Sequence, residues 1–160
     1  MTLLPDALAG AIQSWADFKA DHRIVSRLLG ASHLVGILLG GGTAITMDRL
    51  VSRAARTAAA LRPQVLDELE RAHRLVVPAL VLVFASGFLW TLSELEEFLS
   101  KPTYWLKMGM VATLLVNGWL MMRAEAKART GDESAWGTMR TTSHLSLALW
   151  FVILVVGKFL

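Results

Sequence analysis

Four apolar stretches divide this chain of 160 residues: Leu28 to Met47, Leu75 to Leu92, Trp105 to Met122 and Thr141 to Gly157. A helix rises about 1.5 Å per residue and a bilayer's hydrocarbon core is about 30 Å thick, so each stretch crosses or nearly crosses it. Backbone polar groups find no water there, and segments of this length satisfy them internally only as helices. The expected fold class is therefore all-α, an integral membrane four-helix bundle. With 54% hydrophobic content and a mean hydropathy of +0.50, little chain remains for a soluble domain. One membrane domain over residues 1–160 is expected.

Ahead of the first span, Leu4, Leu8, Ile12, Trp15 and Phe18 recur at helical spacing, with Asp6, Gln13, Asp17 and Lys19 largely on the other side. The pattern predicts a short helix within residues 1–22 that lies in the membrane interface. A soluble helix packed on the end of the bundle fits the same pattern. The opening Met-Thr-Leu-Leu-Pro-Asp lacks the early basic residue and long apolar core of a signal peptide, so targeting is assigned to the first span.

Charge sets the expected topology. Arg49, Arg53, Arg56, Arg62, Arg71 and Arg74 crowd the first connection, and Arg123, Lys127, Arg129 and Arg140 the third. The positive-inside rule places both connections in the cytoplasm and both termini outside it. Lys19, Arg23, Arg27, Lys101 and Lys158 stand on the other side with Glu94, Glu96 and Glu97. The pI near 9.7 thus reflects topology, and no nucleic-acid partner is expected. Cysteine is absent, which excludes disulfides, thiolate metal sites and iron–sulfur clusters. The first connection is rich in Ala, Arg, Leu and Glu, so its flanking helices are expected to continue towards Pro63 as a hairpin stem.

Ionisable groups within hydrocarbon need a partner, a wet cavity or a cofactor. With this topology His33 of span one and Lys107 of span three share a depth near the outer boundary, and His73 and His144 share one near the inner boundary. In an up-down bundle spans one and three face each other diagonally, as do two and four. Such pairs suit an iron porphyrin held between two axial ligands, with His33, His73 and His144 as candidate ligands, and Lys107 and Arg27 as partners for propionates or substrate. Each has a plainer reading. His73 reaches headgroups, His144 bonds Thr141, Thr142, Ser143 or a neighbouring helix, Lys107 snorkels, and His22 is solvated. His33, flanked by Leu28, Leu29, Leu34 and Val35, is the hardest to read that way.

Gly36 and Gly40 form a G-x-x-x-G step, extended by Gly41 and Gly42, that suits close helix packing, a homo-oligomer contact or a flat ligand. Asn117 is expected to donate a hydrogen bond between helices, and Asp48 and Arg49 to pair locally where span one ends. Met108, Met110, Met121 and Met122 offer thioether sulfur, the soft ligand that suits Cu(I).

His33 with its following glycines and Arg49, the run Arg71-Ala-His-Arg-Leu-Val-Val-Pro-Ala into a span with Gly87, and Trp105-Leu-Lys107 opening span three resemble the HemJ-type membrane proteins. The related CopD-like copper-resistance domains are similar in general pattern. The resemblance covers about Leu28 to Met122. It implies a four-helix membrane protein that binds haem b and oxidises protoporphyrinogen IX, with His33, Arg49 and Lys107 matching the family's functional histidine, arginine and lysine. The chain departs from the family at Ile37 and Leu38, at Met47-Asp48 and at Asn117-Gly118-Trp119. The resemblance therefore bears on fold and haem more than on the exact reaction.

The leading expectation is a membrane haem b protein of electron-transfer or oxidoreductase type, acting on a porphyrin or quinone in contact with membrane lipid. A copper-handling protein using His33 with Met108 or Met110, and a non-catalytic membrane subunit, are the alternatives.

Overall fold

Lipid, unlike water, gives apolar helices no reason to bury one another, so lateral packing must come from close backbone approach and polar contacts. The computed structural model describes residues 6–56 and 59–159. Its elements are α1 (Asp6–Asp21), α2 (Arg23–Arg56), a single 3₁₀ turn (Ala59–Leu61), α3 (Arg62–Ser93), α4 (Leu95–Ser100), α5 (Pro102–Arg129) and α6 (Ala135–Gly157). Helices α2, α3, α5 and α6 are long and apolar enough to cross a membrane. The protein is an all-α integral membrane protein. Only 11% to 17% of the residues in their most apolar windows are buried within the fold. Most apolar side chains, among them Leu34, Leu38, Val81, Phe84, Phe88, Leu115 and Val116, face outward where lipid covers them.

Pro63 and Pro102 sit in the first turns of α3 and α5, where their missing N–H is no loss. Helix α5 closes through Gly131 at φ +90, with the Asp132 N–H donating to Lys127 O at 3.2 Å and the Gly131 N–H to Ala128 O at 3.1 Å. That pairing satisfies the last carbonyls and needs the left-handed backbone that glycine provides. The Ser134 hydroxyl and N–H then bond the Asp132 side chain and hold its carboxyl below the usual range.

Helix α2 packs between α3 and α6, and α5 packs on α6; α3 and α5 meet along a thin seam, while α2–α5 and α3–α6 lie across the diagonals. The tight core occupies one end only. Val51, Ala54, Val65, Leu66, Leu69, Met121, Ala124, Ala128, Trp136 and Met139 meet there. This is the arginine-rich end, and the helices on both sides of the first connection do continue past their apolar stretches to build it, as the hairpin stem predicts.

Two glycines set the helix spacing of α2. A methyl on Gly36 would stand 2.6 Å from Val83 Cγ2 and 2.9 Å from the Ala79 carbonyl oxygen of α3, and one on Gly40 would stand 2.6 Å from the Trp150 ring of α6. Gly41 and Gly42 have open space around them. The G-x-x-x-G step is thus used within the chain, one glycine against each neighbour of α2.

Helix α1 folds back on the other end of the bundle. Trp15 Nε1 donates to Leu89 O at 2.8 Å, and Lys19 Nζ donates to Ser93 Oγ at 2.6 Å and Glu94 Oε1 at 2.8 Å. The ammonium also lies 4.6 Å from the centre of the Trp90 ring, a cation–π contact. Leu8 and Phe18 stay exposed on the same helix. Helix α1 is thus tied to the bundle end and keeps an apolar face exposed, an arrangement compatible with a helix lying in the interface; Leu4 lies outside the described residues.

Gly36→Ala should destabilise the detergent-solubilised protein by about 1–3 kcal/mol through overpacking. Gly42→Ala, with free space and a better helix former, should leave stability unchanged or raise it by about 0.5–1 kcal/mol. Thermal melts of the two variants test the assignment, and equal losses would refute it.

Candidate functional site

His33 lies half-buried on α2, nearly one turn ahead of the Gly36 crossing, where α3 presents Val83, Ser86 and Gly87. Its Nδ1 is 3.0 Å from Val83 O and 3.0 Å from Ser86 Oγ. The Ser86 hydroxyl sits 2.6 Å from Leu82 O and 3.2 Å from Val83 O. A carbonyl only accepts, so Ser86 gives its proton to a backbone oxygen one turn back and Nδ1 carries the hydrogen shared with Val83 O. Nε2 is left with its lone pair and, among the described residues, without a hydrogen-bond partner. This is the arrangement of a ligating histidine: one ring nitrogen fixed by a carbonyl, the other available.

Glycines make room at this end. A methyl on Gly87 would stand 3.1 Å from His33 Cε1, one on Gly157 of α6 would stand 3.4 Å from Lys107 Nζ, and one on Gly30 would stand 3.4 Å from the Trp90 ring. Lys107 of α5 is half-buried and lies beside Gly157 of α6. Arg27 is exposed, six positions before His33 on the same helix, about 9 Å along its axis.

The other candidates lie elsewhere. His73 Nδ1 is 3.3 Å from Glu125 Oε2 across the α3–α5 seam. The same carboxylate takes Arg129 at 3.0 Å, and Arg129 also reaches Leu66 O at 2.8 Å and Glu70 at 3.3 Å. His144 Nδ1 is 2.6 Å from Asp48 Oδ1 across the α2–α6 seam, on the other side of the bundle, and its side chain is 52% exposed. The matching depths of His73 and His144 therefore do not bring the two rings together: each turns to a carboxylate on a different seam. No group of three or more His, Asp or Glu side chains poised for a metal occurs among the described residues. Arg49 is exposed, sixteen positions beyond His33 and so about 24 Å away along α2. Asp48 does not pair with it. Neighbours on a helix point about 100° apart, and Asp48 turns into the α6 seam while Arg49 turns out.

Asn117 behaves as expected, donating from Nδ2 to Thr142 O and Ser146 Oγ, each at 2.7 Å, and tying α5 to α6. Sequence reasoning passed over Ser86 and Glu125. Glu125 stands four positions before Arg129, the spacing of a helical ion pair, and was legible on that ground. Ser86 had no such signal, because its role depends on the register of α3 against α2.

No family model, curated protein or solved structure matches this chain.

Glu125 holds His73 and Arg129 at a seam with few other contacts. Its replacement by alanine removes the carboxylate that faces His73 and one of the acids around Arg129, at a cost of about 1 kcal/mol. Glu125→Ala should melt correspondingly earlier, whereas Glu96→Ala at an exposed position should melt as the parent does.

Proposed function

We propose that this is a membrane haem b protein of electron-transfer or oxidoreductase type, with His33 as the protein ligand to the iron. The observation that carries the reading is the fixed Nδ1–H of His33 and its free Nε2 in an apolar, glycine-lined setting. The donor set fits one axial position. His73 and His144 are committed to carboxylates, so the fit is to a site with one histidine. Bound haem would supply reversible one-electron chemistry at iron.

The chain's own residues have separable tasks. Val83 O fixes the tautomer and plane of the imidazole, and Gly87 lets the ring lie against α3. Lys107 places a cation in a low-dielectric region, where it is worth most as the partner of a porphyrin carboxylate. Helices α3 and α5 make few direct contacts, and an apolar electron donor or acceptor such as a porphyrin or a quinone would enter sideways between them. The resemblance to HemJ-type proteins favours protoporphyrinogen as the donor. The same resemblance favours a bacterial inner membrane, and the charge bias favours the arginine-rich end in the cytoplasm.

Oxidised and dithionite-reduced spectra of detergent-purified protein, with pyridine haemochrome and metal quantification, test the proposal. A b-type spectrum is expected, with haem affinity falling about 10–100-fold in His33→Ala and surviving in His73→Gln and His144→Gln. Protein that stays colourless and iron-free after haem supplementation would overturn it. Copper near one equivalent without iron would assign the site to copper handling instead.

A further inference from the structure

At the arginine-rich end, on the α2–α6 seam, lies a cavity of about 510 Å³ lined by Asp48, Arg49, Ser52, Arg53, Arg56 and His144. Its volume falls within the roughly 300–1,000 Å³ of small-molecule sites, yet every lining residue is polar or charged. We propose that this cavity binds a phosphate-bearing anion, in the first instance the headgroup of an anionic phospholipid from the adjoining leaflet.

Three features support the assignment. The first is helical phase. Arg49, Arg53 and Arg56 follow one another at steps of four and three on α2, so they form a ladder on one face that starts within a turn of the end of the apolar stretch at Met47 and runs to about 13 Å beyond it. Its first rung stands at headgroup depth. A guanidinium offers a planar fork of donors that matches phosphate oxygens.

The second is charge balance. Three arginines at this end have acidic partners: Arg62 has Glu133, Arg71 has Glu68, and Arg129 has Glu125, Glu70 and Asp67; Arg74, Arg123 and Arg140 are exposed cations outside the cavity. Arg49 and Arg56 have no acidic partner among the described residues, and Arg56 is steadied by Nε donating to Ser52 O at 3.3 Å. The acid in the cavity wall, Asp48, is 9% exposed and is already bonded by His144 Nδ1 at 2.6 Å. The cavity therefore carries an excess of positive charge that an incoming anion would neutralise.

The third is the floor. Asp48 fixes the imidazole of His144, and Ser52 Oγ lies 3.5 Å from its Nε2. A hydroxyl and an oriented ring nitrogen thus stand beside the arginine ladder as further polar contacts for a headgroup. The haem reading does not use this cavity, so the two stand or fall separately.

Native mass spectrometry of the detergent-purified full chain, with added phosphatidylglycerol, phosphatidylcholine or inorganic phosphate, tests the proposal. Phosphatidylglycerol is expected to bind at least fivefold more tightly than phosphatidylcholine. That preference should fall at least fivefold in Arg49→Gln/Arg56→Gln and persist in Arg74→Gln/Arg123→Gln, which removes two exposed cations outside the cavity at the same end. Binding of inorganic phosphate that is lost in the first pair alone would also support the site, with a soluble phosphate as its source. Equal loss in both pairs, or no loss in the first, would overturn it and reduce the effect to general surface charge. Should the glutamine pair fail to purify, Arg49→Lys/Arg56→Lys keeps the charge and removes the fork. A weakening of about threefold is then expected, and unchanged binding would overturn the proposal.

Discussion

The close approach of α2 to its two neighbours is the constraint from which the rest of the bundle follows. Gly36 admits Val83 and the Ala79 carbonyl, and Gly40 admits the Trp150 ring. In hydrocarbon, leucine against leucine gains little over leucine against lipid, so backbone proximity and the polar contacts it permits must hold the helices together. Once Gly36 sets the α2–α3 spacing, His33 lies within hydrogen-bond reach of Val83 O and Ser86 one turn away. Once Gly40 sets the α2–α6 spacing, Asp48 and Ser52 reach His144 two turns further on. The glycines and the histidines are parts of one device.

The two ends of the molecule are built differently, and the difference follows from their solvents. At the arginine-rich end the helices have left the apolar stretches and meet water and headgroups, so a conventional core around Leu69, Val51 and Met139 becomes favourable. Glu125 with His73, and Arg129 with Glu70 and Asp67, tie α5 to α3 there. Towards His33 that seam is thin, and lipid supplies the contacts that protein does not. The arginine-rich end thus holds the tight core, and the opposite end is the more loosely packed. Helix α1, latched by Trp15 and Lys19 to Leu89, Ser93 and Glu94, covers part of that looser end.

The candidate site was partly legible in the chain. His33 stood out because an imidazole surrounded by leucine and valine has no plain explanation, and Lys107 because it lies at the same depth. Depth follows from counting residues along a span. Azimuth does not, since which way a ring points depends on helix rotation and crossing. For that reason His73 and His144, matched in depth, separate onto different seams with Glu125 and Asp48 as partners. For the same reason Asp48 belongs to α6 and not to its neighbour Arg49.

By itself the sequence determined the number of spans, their helical character and the end at which arginine collects, because hydropathy over about 20 residues and the backbone's need for internal hydrogen bonds leave no alternative in a bilayer. It also determined that Gly36 and Gly40 would permit close packing and that Asn117 would bond across a helix interface. Tertiary structure alone decided which helices those glycines face, that Ser86 and Val83 O direct the His33 proton to Nδ1, and that Arg49, Arg53 and Arg56 line an open cavity together with His144. These are relations between residues 50 to nearly 100 positions apart. They depend on the rotation and register of one helix against another, which no local pattern in the chain encodes.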